Sequence, residues 1–242
     1  MNPQSNPKPV VIVVDGVIAA GKSQYLLTVS EGLSNTTNPW TGKPYRVVLV
    51  KEPVDKWKET GILQRFYNDT KRWAYHFQTT AFHDRVKANV DAYQQYGDDV
   101  DVYILERSFV TDTIFMDMLH DSGMVDDLEY ADYRQWWDMW SMVMPYTPDL
   151  FVYLRPDIDV CMARLKERSR DGESGVTKEY QEALLKKHDE LFGCHMVSLK
   201  KDGVTTRVPA IVLDTNENFR DNHEVKEKVV CQFISFIDRI WV

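Results

Sequence analysis

Hydrophobic positions along the chain fall into two rhythms. Five short, unbroken apolar runs rich in β-branched residues occupy positions 10–14, 47–50, 102–105, 150–154 and 210–213. Continuous rather than alternating runs mark strands covered on both faces. Longer stretches of helical character lie between and after them. Residues 71–96 lack Gly and Pro and carry helix-like apolar spacing, and residues 128–143 are dense in aromatics (Tyr130, Tyr133, Trp136, Trp137, Trp140). Residues 157–170, 177–192 and 222–240 complete the set, with Asp157 and Thr177 as N-caps. Gly-, Pro- and Asn-rich loops are expected at 34–44 and 171–175. Strands alternating with helices predict an α/β fold, a doubly wound sheet of five parallel strands flanked by helices. No repeat or linker interrupts it, so residues 1–242 are expected to form one domain.

The first run passes straight into Gly16-Val17-Ile18-Ala19-Ala20-Gly21-Lys22-Ser23, a G-x-x-x-x-G-K-S pattern between a strand and a helix. Its glycines let the backbone wrap tightly and aim N–H groups at phosphate oxygens, and the helix start adds its positive end. Lys22 is expected to reach the β- and γ-phosphates of ATP, and Ser23 to coordinate Mg²⁺. The second strand ends in Lys51-Glu52-Pro53-Val54 and the third in Glu106-Arg107-Ser108. Carboxyl ends of parallel strands open onto the ligand crevice, so two acids and an arginine face the cradle. Such chemistry needs one carboxylate as proton acceptor, another for Mg²⁺, and an arginine to fix the reacting groups.

Composition removes some function classes. The 242 residues are 43% hydrophobic and 27% charged, a globular balance. The net charge of −8, from 37 acids and 29 bases, argues against nucleic acid as a partner. No run reaches the ~20 apolar residues of a membrane span. Residues 1–9 lack an apolar or Arg-rich targeting pattern. Cys161, Cys194 and Cys231 are too few and too scattered for a disulfide framework, and read as buried thiols of a reducing, cytoplasmic protein. The basic residues concentrate at Arg164, Arg168 and Arg170, on a helix running into a Gly-containing loop. Opposite a phosphate cradle, such a cluster reads as a lid over residues 164–175 that neutralises charge on a transferring phosphoryl group.

Six segments in order, GVIAAGKS, EPVDKW, LQRFYNDTKRWAYHFQTTAFHDR, ERSFVTD, RLKERSRDGE and VPAIVLDTNENF, resemble the deoxyribonucleoside kinase family. That group holds deoxycytidine, deoxyguanosine and mitochondrial thymidine kinases and the insect multisubstrate enzyme. The resemblance implies an enzyme of nucleotide salvage and DNA precursor synthesis. It would move the γ-phosphate of ATP to the 5′-hydroxyl of a deoxyribonucleoside. By this resemblance Glu52 matches the catalytic base, Arg107 the arginine holding that base, and Glu106 the acid linked to Mg²⁺. Tyr67 and Glu173 match the pair that binds the 3′-hydroxyl. Gln78 matches the amide that reads the base edge, and Val54, Trp57, Leu63, Phe77 and Met116 match the apolar walls. Arg168 and Arg170 match lid arginines, Arg164 one that packs on the donor base, and Glu217 and Phe219 lie in the loop holding that base.

Helical spacing sharpens the acceptor side. Gln78, Ala81 and Arg85 fall on one helix face, where Gln78 and Arg85 converge on a planar ligand. Asp112, early in the helix after the third strand, is placed to pair with Arg85 and accept from an exocyclic amine. In the family, Arg and Asp at these positions resemble members accepting cytosine and purines, so deoxycytidine or a purine deoxynucleoside is expected over thymidine. Gln24, Thr113 and the long loop at 34–45 depart from the family pattern. Relatives are usually homodimers through two long helices, here 71–96 and 128–143. Two other readings stay open: a nucleoside monophosphate kinase, and a non-catalytic P-loop nucleotide-binding protein.

Overall fold

A computed structural model of the protein describes residues 8–168, 175–201, 204–217, 219 and 222–240. The elements run β1 (Val10–Asp15), α1 (Lys22–Ser34), β2 (Val47–Val50), α2 (Val54–Glu59), α3 (Ile62–Asn68), α4 (Thr70–Tyr96), β3 (Val102–Glu106) and α5 (Phe109–Asp121). There follow α6 (Asp127–Val143), β4 (Leu150–Leu154), α7 (Ile158–Arg168), α8 (Lys178–Phe192), β5 (Met196–Lys201), β6 (Val204–Leu213) and α9 (His223–Ile240). The strands form one sheet in the order β2-β3-β1-β4-β6-β5. β1 pairs in parallel with β3 and β4, β2 with β3, and β4 with β6.

The five expected strands are therefore present, but the sheet has six. β5 joins the edge antiparallel to β6, with Met196 opposite Pro209 and Lys201 opposite Val204. Within Met196-Val197-Ser198-Leu199-Lys200-Lys201 the stretch from Val197 to Lys200 alternates apolar and polar as an edge strand does, so no long continuous apolar run announces it. The dipeptide Asp202-Gly203 was its available sequence signal.

Continuous runs became central strands because helices cover both faces. Every residue of β1, β3 and β4 is buried. α1 packs against α9, while α4, α5 and α8 pack in succession and α6 lies over α4 and α5. Helix starts follow cap chemistry. The Asp69 side chain accepts from the Arg72 N–H, Thr177 accepts from the Tyr180 N–H, and Asp126 forms a capping box with Glu129. Asn222, expected as the first residue of the last helix, instead caps it by accepting from the Glu224 and Val225 N–H groups. α2 and α3 span only 6 and 7 residues, too short for a helical period to show.

Of the three thiols, only Cys161 is buried; Cys194 and Cys231 are exposed, contrary to the expectation of burial. Both sit on peripheral elements, at the turn into β5 and on the outer helix α9, where a small side chain meets little core. Among the described residues, no helix is long and apolar enough to cross a membrane.

Candidate active site

β1 ends on Asp15, and the chain then turns under the start of α1. Gly16 has φ 152°, and a Cβ there would stand 2.5 Å from the Leu154 carbonyl oxygen of β4, so only glycine lets the loop pass this close. Lys22 is buried, and its Nζ donates to the carbonyls of Gly16 at 3.0 Å and Val17 at 2.9 Å. Burial, and next the neighbouring Arg107 guanidinium, push the Lys22 ammonium down to about 8. Ser23 Oγ donates to Glu106 Oε1 at 2.7 Å. Among the described residues, no three His, Cys, Asp or Glu side chains converge to hold a metal ion by themselves. The hydroxyl–carboxylate pair does fit the partial shell Mg²⁺ takes beside nucleotide phosphates.

Arg107, just past β3, adopts a left-handed backbone with φ 61°, strained for a residue with a side chain. Its guanidinium is locked in place. Nη1 donates to Asp15 Oδ1 at 2.7 Å, Nη2 donates to the Gly16 carbonyl at 3.0 Å, and Nε lies 3.3 Å from Glu52 Oε1. Asp15 is fully buried and also accepts from the Gly16 N–H at 2.6 Å, with His188 Nε2 at 3.2 Å. Burial alone would raise its carboxyl, but Arg107 and His188 hold it well below the usual range.

Glu52 enters from the end of β2. Arg85 of α4 donates to its Oε1 from Nε at 3.0 Å and also from Nη2. These contacts and that of Arg107 fall on Oε1; among the described residues no hydrogen bond is seen at Oε2. Burial favours the neutral acid, yet Arg85, Arg107 and Lys22 outweigh it and hold Glu52 below its ordinary value, so it is ionised at neutral pH.

These groups share one cavity of about 800 Å³. Ala19, Gly21, Lys22, Ser23 and Glu106 line one part of it, and Glu52, Val54, Trp57, Leu63, Tyr67, Phe77, Gln78, Arg85 and Arg107 another. Trp57 and Phe77 meet edge to face at 5.5 Å, and Trp57 Nε1 donates to Asp84 at 2.9 Å, which fixes α2 on α4. Gln78 is 1% exposed, and its Oε1 has no hydrogen-bond partner among the described residues. Because Gln78 lines the cavity, this amide oxygen has the capacity to accept a hydrogen bond from a bound molecule. Gly175 packs on Tyr67, where a Cβ would come within 2.7 Å of the Tyr67 Cβ.

Ala81, Asp112 and Met116 are fully buried and do not line the cavity. Asp112 stands behind Arg85: its Oδ1 accepts from Arg85 Nη1 and its Oδ2 from the Tyr133 hydroxyl at 2.6 Å. On the donor side, Arg164 Nη2 donates to the Thr215 carbonyl at 2.7 Å and Nη1 to the Ala20 carbonyl at 3.5 Å. Phe219 is buried and packs on Gly21 and edge to face on Tyr25. Gly16 and Ala20 form the turn itself. Glu217 is exposed and meets Arg164 through its carbonyl. Arg164 and Arg168 line the cavity; Arg170 and Glu173 lie outside the described residues.

Sequence reasoning missed Asp15, His188, Phe115, Phe66 and Tyr180. Phe115 lies 4.4 Å from the Arg107 guanidinium and 5.8 Å from that of Arg85, and lines the cavity with Phe66 and Tyr180. Its signal was the three-residue step from Asp112 along α5. Tyr180 rests against Phe66 and Tyr67 from α8, a contact that no local spacing foretells.

A strand-to-helix phosphate cradle, facing a carboxylate gripped by arginines within one cavity, defines a P-loop phosphotransferase. A family model described as deoxynucleoside kinase matches residues 12–238, and the chain belongs to that family. It is thus an ATP-dependent deoxynucleoside kinase. It is similar to a probable deoxycytidine kinase of fowlpox virus, 28% identical over 232 residues, which cover 96% of this chain and 89% of that protein. Deoxycytidine kinase 2 of Gallus gallus is 30% identical over 250 residues, 93% and 89% of the two chains. Mitochondrial thymidine kinase 2 of Homo sapiens is 32% identical over 195 residues, 77% and 66% of the two.

Proposed function

We propose that the protein transfers the γ-phosphate of ATP to the 5′-hydroxyl of a deoxyribonucleoside, favouring deoxycytidine or purine deoxynucleosides over thymidine. The observation that carries this reading is Glu52: an ionised carboxylate that lines the cavity it shares with the phosphate cradle, with Oε1 bonded by Arg85 and 3.3 Å from Arg107 Nε. Oε2 takes the 5′-hydroxyl proton as that oxygen attacks the γ-phosphorus, and ADP departs. Lys22 holds the phosphates, and Arg168 neutralises the charge that builds on them, with Arg170 as a second lid arginine. Ser23 and Glu106 would hold Mg²⁺, which when bound draws charge from the β- and γ-phosphates. Gln78 reads the base edge, and Tyr67 with Glu173 takes the 3′-hydroxyl.

Relatives named for deoxycytidine and for thymidine both resemble this chain, so the preference rests on Arg85 and Asp112. A thymine 5-methyl would crowd the Arg85 guanidinium, which Asp112 holds from behind. A monophosphate acceptor would need Arg85 as an anion partner, yet Arg85 is engaged by two carboxylates. Rates on the four deoxynucleosides with ATP test the reading: deoxycytidine or a purine deoxynucleoside comes first, and thymidine in first place overturns it.

Lys22 gives a second test. Above about pH 8 the free protein carries a neutral Lys22, whereas a bound triphosphate requires the ammonium. ATP binding therefore takes up a proton above that pH, and affinity falls as pH rises through about 8. Calorimetry in buffers of different ionisation enthalpy reads the uptake; its absence at pH 9 refutes the assignment.

The reading includes one kinase domain with a lid over 164–175, working in the cytoplasm as part of nucleotide salvage, and a homodimer through α4 and α6. Support for the dimer is the apolar outer face of α6, where Trp136 and Met139 are 39% exposed, Met142 58% and Val143 60%. Light scattering after size-exclusion chromatography gives twice the chain mass, and a monomer would defeat the claim.

A further inference from the structure

Asp112 has no exposed surface and does not reach the cavity, so its carboxylate acts on the reaction only through its neighbours. One neighbour is Arg85. The other is Tyr133 of α6, a fully buried tyrosine whose hydroxyl donates to Asp112 Oδ2 at 2.6 Å. Arg85 Nη1 takes the other Asp112 oxygen, while its Nε and Nη2 both take Glu52 Oε1. A continuous hydrogen-bonded chain thus runs from α6 through Asp112 and Arg85 to the carboxylate in the cavity.

We propose that Tyr133 is a positioning residue for phosphoryl transfer, fixing Asp112 so that the Arg85 guanidinium holds Glu52 with Oε2 turned to the acceptor hydroxyl. The physics is that of a fork. A guanidinium offers donors in one rigid plane, so the edge held by Asp112 dictates where the other edge meets Glu52. Asp112 can impose that plane only if its own rotation is stopped. A carboxylate with one oxygen bonded pivots; the Tyr133 hydroxyl, on a ring packed at 5.4 Å against Phe82, pins the second. Burying a charged group costs free energy that hydrogen bonds offset, and with Tyr133 each Asp112 oxygen has a donor.

The inference rests on Glu52 being the base. Tyr133→Phe removes one oxygen and keeps the ring, and is expected to lower kcat about tenfold while KM for ATP stays unchanged. A general loosening of the fold would move both. In an Arg85→Met background the same change is expected to have no further effect, because the link is already cut. Wild-type kcat in Tyr133→Phe, or an equal loss in both backgrounds, overturns the proposal. Asp112→Asn keeps the shape of the carboxylate and carries the same expectations if Tyr133→Phe does not fold. Glu52→Gln separates the two levels. Full activity there removes the base assignment itself, whereas an inactive Glu52→Gln beside a normal Tyr133→Phe removes only the role of Tyr133.

Discussion

Glu52→Gln lowers kcat on the preferred deoxynucleoside by roughly 100- to 10,000-fold, the usual contribution of a general base. The amide matches the carboxylate in size but cannot accept the hydroxyl proton. The fold should tolerate the change because neither arginine is abandoned: Arg85 keeps Asp112, and Arg107 keeps Asp15. ATP affinity, read by calorimetry, does not weaken, since the lost charge is negative and lies among groups that meet phosphates. A Glu52→Gln protein that turns over at the wild-type rate would require a different proton acceptor and with it a different acceptor pose.

Arg107→Ala has the largest expected effect on stability. Arg107 is 3% exposed and Asp15 0%, so the substitution strands a carboxylate in the core. Losing one partner of a buried pair costs about 3–5 kcal/mol, measurable as a lower urea midpoint. His188 and the Gly16 N–H remain on Asp15 and temper the loss. The pH dependence has a fixed sign. Asp15 is depressed in the folded protein, so the stability it contributes is present above its unfolded value near about 4 and fades as pH falls below that. The gap between wild type and Arg107→Ala should therefore narrow in acid. Activity is lost at every pH, because Arg107 also approaches Glu52. A variant as stable as wild type at pH 7 would mean that Asp15 is satisfied without its arginine.

Much of this was legible in the chain because it is local. Five strands and the long helices announce themselves through runs and periods spanning neighbouring residues. The phosphate cradle is one contiguous segment with fixed spacing. Glu52 and Arg107 were placed by a single rule, that strand ends meet the ligand. What the sequence concealed was contact at a distance. His188 reaches Asp15 across 173 positions, and Tyr133 reaches Asp112 from the next helix. Neither has a periodic signature, since a side chain's partner on another element depends on how the two elements pack. Asp112 shows the difference well. Its position on α5 marked it as a partner of Arg85 and a ligand contact; the pair with Arg85 is present, and only packing revealed that Tyr133 takes its second oxygen. β5 was concealed for another reason: an alternating edge strand has half the apolar content of a central one.

The fork of Arg85 has a consequence for anyone redesigning substrate choice. The arginine proposed to sense the nucleobase also bonds Glu52, so under that proposal selectivity and turnover share one side chain. Opening the pocket to a bulkier pyrimidine by trimming Arg85 would trade speed for breadth. A redesign that preserves rate needs a compensating donor to Glu52 Oε1, introduced from α2 or from the Phe115 side of α5, before the arginine is removed.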